Sequence, residues 1–156
     1  MTALRRAMRL RWRRDDGAVA IEFALVLPIL VVLVFGIIQF GLFFNRQQGV
    51  HAAAREGARI AALSSTTSDD VVSRVDDALS GISLPDGRTI TISAPAPYGT
   101  RVFEQGASAD TARPCQENLG LSVTVTVTAS MDFELPPIMT RDVTVTGTGD
   151  FRCESD

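Results

Sequence analysis

Residues 18–44 read AVAIEFALVLPILVVLVFGIIQFGLFF, and Glu22 is their one charge, Gln39 their one strongly polar amide. As a helix rising about 1.5 Å per residue, the stretch covers about 40 Å, more than the ~30 Å hydrocarbon core of a bilayer. It predicts a transmembrane helix. A carboxylate in such a span costs roughly 2.5–3.5 kcal/mol on insertion scales if held at mid-bilayer. Something must therefore require Glu22. Pro28 removes one backbone donor, which predicts a kink or local unwinding. Gly36 and Gly41 are five apart and do not form the GxxxG spacing of close helix pairs.

On the N-terminal side, the leader through Gly17 carries six arginines against Asp15 and Asp16, a charge of +4; the remainder carries −7. Those arginines outnumber Arg46, Arg55 and Arg59 beyond the span. The N-terminus is therefore expected in the cytoplasm and the C-terminal body is expected to be exported, in a single pass through the cytoplasmic membrane. The acidic body lacks the basic footprint that nucleic-acid binding needs. All fifteen basic residues are arginine.

Residues 18–44 fit three kinds of segment. A secretory signal has a shorter apolar core, and Ala52-Ala53-Ala54 would lie too deep for its cleavage site. A plain uncleaved anchor has no use for Glu22. A processed leader accounts for the arginines, Gly17 and Glu22 together. Gly17-Ala18-Val19-Ala20-Ile21-Glu22-Phe23 resembles the processing site of type IV prepilins and tight-adherence pilus proteins. Residues 17–35 are similar to the N-terminal signature of TadE-like proteins. Ala53-Ala54-Arg55-Glu56-Gly57-Ala58-Arg59 resembles that family's second signature, and the likeness covers about residues 14–63.

The resemblance implies a pseudopilin-like minor subunit of a tight-adherence pilus system. It implies a prepilin peptidase acting at Gly17, Ala18, Glu22 and Phe23 on the cytoplasmic side, cutting after Gly17. The new amino terminus at Ala18 would dock on Glu22 of a neighbouring subunit. Implied partners are the membrane, other pilins or pseudopilins, the peptidase and pilus assembly platform proteins.

The expected divisions are a leader (1–17), a transmembrane helix (18–44), a membrane-proximal helix (45–63) and an exported α+β domain (64–156). In the proximal helix Val50, Ala54, Gly57, Ala58 and Ala61 share one face, and Gly49 and Gly57 weaken it. Ser68 is the expected cap of a second helix from Asp69 to about Ser80, ended by Gly81, with Val71, Val72, Val75, Ala78 and Leu79 on one face. Pro85-Asp86-Gly87 is a turn signal. Residues 88–94 alternate weakly. Residues 121–133 alternate throughout, with Leu121, Val123, Val125, Val127, Ala129, Met131 and Phe133 on one face. Pro136-Pro137 ends that strand, and Val143 and Val145 begin the last. A pilin-like antiparallel sheet of three or four strands is predicted, one face on helices and a threonine-rich face in water. Residues 95–118 are expected to be loop.

Two cysteines in an exported segment favour a disulfide between Cys115 and Cys153; unpaired thiols are the alternative. His51 has no short-spaced metal-ligand companions, so no metal is expected. Asp69-Asp70 and Asp76-Asp77 fit solvated helix charges. No serine stands in a nucleophile motif. Neither an enzyme, a cofactor nor a small-molecule substrate is expected. Two function classes remain: a filament or assembly subunit, and an unprocessed single-pass protein whose exported sheet binds an envelope or surface partner. Glu22 separates them, because only the first needs it.

Overall fold

A computed structural model describes residues 14–84, 87–107, 110–117, 119–135 and 139–154. Most of the arginine leader, Pro85-Asp86 and Pro136-Pro137 therefore lie outside the described residues, as do the side chains of 14–16, 133–135 and 139–140. The chain is α+β: α1 (Arg14–Ala61), α2 (Ser68–Leu79), β1 (Arg88–Ala94), β2 (Gly99–Glu104), β3 (Ser122–Leu135) and β4 (Met139–Arg152). It divides into two compact units, Met1–Ile37 and Ile38–Asp156.

In the first unit, α1 is an uninterrupted helix through Pro28. The expected unwinding is absent, since proline deletes a single N–H and the neighbouring turns keep their bonds. In the second unit, one antiparallel sheet runs in the order β2-β1-β3-β4. Val123, Val125, Val127, Ala129 and Met131 are buried, with Ile90 and Ile92 beside them on β1. Val71, Val75 and Leu79 of α2 join Val50, Ala53, Ala54, Ala58 and Ala61 of α1 in the same core. The alternate residues carry hydroxyls: Thr126 stands between Thr91 and Thr148, and Thr128 between Thr89 and Thr146.

Small residues let backbone meet backbone. A Cβ built on Gly147 would stand 2.6 Å from the Val50 carbonyl oxygen, and one on Gly149 would stand 2.5 Å from that of Ala54. Only glycine fits where the upper part of α1 lies against β4. At Gly57 an added Cβ would meet Val75 Cγ2 at 2.5 Å, so the weak helix former is what admits α2.

Several expectations need correction. The stretch 95–118 is not all loop: β2 lies inside it and pairs with β1 from Thr89↔Glu104 to Ala94↔Gly99. The cap of α2 is Thr67, not Ser68. Thr67 Oγ1 accepts the Asp70 N–H at 3.3 Å, and the Asp70 carboxylate accepts the Thr67 N–H at 2.9 Å. Ser68 is fully buried; its hydroxyl donates to the Ala112 carbonyl at 2.9 Å and lies 2.8 Å from the Tyr98 hydroxyl. The helix ends at Leu79, one residue from the expected end, with Ser80 as its C-cap, and Gly81 does not take the positive φ of a glycine terminator. Leu121 falls just before β3 and is half exposed. The last strand begins at Met139, ahead of Val143. Asp76 is not merely solvated: the buried Arg88 grips it through two N–H groups, Nε to Oδ1 at 2.6 Å.

Cys115 and Cys153 are bonded, with Cα atoms 5.3 Å apart. The Cys153 N–H donates to the Leu121 carbonyl at 2.7 Å and the Glu154 N–H to the Ala62 carbonyl at 2.8 Å. The end of β4 is thereby fastened to the 110–121 loop and to the end of α1.

Candidate membrane anchor and processing site

Between Val19 and Phe35 the large apolar side chains of α1 face outward, from Val32 at 40% exposed to Leu25 at 70%. Such a surface on a helix this long is what a membrane span presents, and by length and composition α1 qualifies as one. Gly17, Ala18, Glu22 and Phe23 lie on its first turns and are all exposed. Ala18 and Glu22 are four apart and share a face. Among the described residues Glu22 has no hydrogen-bond or ion-pair partner.

Among the described residues nothing packs against Gly17. A Cβ there would meet no atom within 4 Å, and the same holds at Gly36 and Gly41. A glycine inside a helix costs about 1 kcal/mol relative to alanine, and at Gly17 no contact among the described residues offsets that.

The second signature segment has a visible structural use. Ala53, Ala54 and Ala58 are completely buried, and Gly57 makes room for Val75. Glu56 stays at the surface and gathers two guanidinium groups. Arg59 donates to it at 3.0 and 2.9 Å, and Arg74 of α2 donates at 2.9 and 2.6 Å. Arg59 foremost, then Arg74, holds the Glu56 carboxyl down at about 2. The fork ties α1 to α2.

The structure joins Cys115 to Cys153 and places Ala18 beside Glu22 on one helix; Glu22 and the cysteines belong to different units. Sequence reasoning missed Arg74 as the second partner of Glu56, the Arg88–Asp76 pair and the Gly147–Gly149 seat. The glycines had a signal. In Val143-Thr144-Val145-Thr146-Gly147-Thr148-Gly149 they occupy the inward phase, where alternation calls for a large apolar residue.

No curated protein and no solved structure matches the chain. Residues 17–59 match the model of the family described as TadE-like protein. That match begins at Gly17, takes in Glu22 and most of α1, and stops at Arg59, the end of the Glu56–Arg59 fork. Over this N-terminal segment the chain is similar to TadE-like proteins.

Proposed function

We propose that this protein is a pilus-associated membrane component, a pilin-like minor subunit of a tight-adherence system. The N-terminus stays cytoplasmic, residues 18–44 cross the membrane, and the α+β body is exported. A prepilin peptidase cuts after Gly17. The new ammonium group at Ala18 then pairs with Glu22 of a neighbouring subunit. Each charge alone is expensive in lipid, and the pair forms only when two helices are in register. Other pilins, the peptidase and the assembly platform are the partners of this scheme. The disulfide and the threonine-faced sheet suit an exported body, and no catalytic role is assigned to it.

The single observation that carries the proposal is the exposed Glu22, without a partner among the described residues and five residues beyond a glycine that no described residue packs against. The test is the mass of the protein from native membranes, with and without the peptidase gene. The expected product begins at Ala18 when the peptidase is present and at Met1 when it is deleted, and the mature form co-fractionates with pilus proteins. A full-length product in cells with an active peptidase removes processing from the scheme.

A further inference from the structure

β1 stops pairing with β3 at Arg88↔Ala129, while β3 and β4 continue together through Ser130↔Thr144 and Asp132↔Asp142 to Leu135↔Met139. Beyond Ala129 the sheet is therefore a two-stranded arm. Its direction follows from the glycine seat. Gly147 lies against Val50 and His51, and Gly149 against Ala54 and Arg55. An advance of two strand residues, about 6.6 Å, thus accompanies four helical residues, about 6 Å, so β4 and α1 run alongside each other in the same sense.

Tracing β4 back from Gly147 to Asp142 covers about 17 Å, the rise of about eleven helical residues. Asp142 then stands level with the neighbourhood of Gln39 and Phe40. The compact body itself starts at Ile38, so the last apolar residues of the span, Ile38 to Phe44, belong to it. Of these, Phe43 packs partly onto the core, while Phe40 and Phe44 are 55% and 54% exposed.

Resting on the reading of residues 18–44 as a membrane anchor, we propose that the β3–β4 arm is a second membrane contact of this chain. Asp132 and Asp142 stand at the level of the lipid headgroups on the exported side. The strand ends, to Leu135 and Met139, enter the boundary between headgroups and acyl chains. The order of residue types matches that depth. Charged residues occur up to Glu134 on one strand and from Arg141 on the other, and none occurs between them. Three strand residues past Asp142 reach about 10 Å further, within the 5–10 Å to which interfacial segments sink. Lipid is the occupant because the arm continues the surface at which α1 leaves the bilayer. A single helix leaves a body free to swivel; a second contact fixes its face relative to the membrane plane.

The test uses the full chain in phosphatidylethanolamine–phosphatidylglycerol vesicles, with a bimane label on one introduced cysteine: Leu135→Cys, Met139→Cys, Thr100→Cys or Val31→Cys. Quenching is read against lipids bearing a nitroxide on the headgroup or high on the acyl chain. The expected result is quenching at positions 135 and 139 at least about twofold above that at 100, with strong acyl-chain quenching at 31. Quenching at 135 and 139 no greater than at 100, with position 31 still quenched, overturns the arm contact and leaves the anchor standing. An unquenched label at 31 overturns the anchor and the arm contact with it. Labels at 135 and 139 that are shielded from aqueous iodide yet untouched by lipid nitroxide signify protein contact, and that also overturns the proposal.

Discussion

Two sets of glycines in this chain have opposite surroundings. Gly147 and Gly149 on β4 each sit where a single added carbon would strike the backbone of α1. Gly17 and Gly36, on the outward-facing part of α1, have no atom within reach of such a carbon. The first pair is explained by the fold of this one chain. The second is not, and Glu22 shares that condition. A residue type that is unfavourable where it stands, and that none of the described residues uses, directs attention outside the chain: to lipid, a processing enzyme or another subunit. Where the upper part of α1 packs, every costly choice is answered locally, as when Gly57 admits Val75 and Glu56 binds two arginines.

That contrast is open to direct attack. The largest effect is expected from Cys153→Ser. Opening a loop of about 39 residues should lower the stability of the body by about 4 kcal/mol in the chain-entropy model. Thermal unfolding of the body would report it, while the helix content of residues 18–37 stays as it was. Next, Gly149→Val should destabilise the body by about 3 kcal/mol or more, at the upper end of overpacking effects. Gly36→Ala should be neutral or stabilise α1 by up to about 1 kcal/mol. Equal losses from the two glycine substitutions, measured by denaturant unfolding in the same detergent, would erase the distinction.

The smallest effect concerns Glu56. Its carboxyl is held at about 2 in place of 4.5, with Arg59 the main cause. A group whose folded value is depressed contributes stability above its unfolded value and loses it as pH falls through the folded one. The contribution is therefore present above pH 4.5 and fades toward pH 2. Glu56→Gln should lower stability near neutrality, where the contribution is present, and leave it nearly unchanged toward pH 2, so that part of the stability–pH curve flattens. A parallel loss in both proteins would assign the acid sensitivity elsewhere.

Legibility of the fold followed the strength of each local pattern. The alternation from Val123 to Met131 is long enough to name strand, face and core at once, and the apolar run from Ala18 names a helix long and apolar enough to span a membrane. β2 was invisible because its six residues, Gly-Thr-Arg-Val-Phe-Glu, alternate weakly and lie among turn formers; pairing with β1 makes them a strand. The cap of α2 was misplaced by one residue because Thr67 and Ser68 are equally able caps. Burial against Tyr98 and Ala112 decides which hydroxyl is free for the task. Ion pairs between elements, Arg74 with Glu56 and Arg88 with Asp76, depend on tertiary placement that no spacing encodes. At the candidate site Gly17, Ala18 and Glu22 are singled out by the sequence alone, and the fold adds only that they are exposed on the first turns of α1.

The central claim is that Glu22 is retained for its charge toward another subunit. The most direct measurement replaces it with the uncharged isostere, Glu22→Gln, and counts that chain in sheared pili and in the membrane fraction. The account predicts wild-type membrane insertion and unfolding temperature of the body, with incorporation into pili lost. Wild-type incorporation of the Glu22→Gln chain would contradict it.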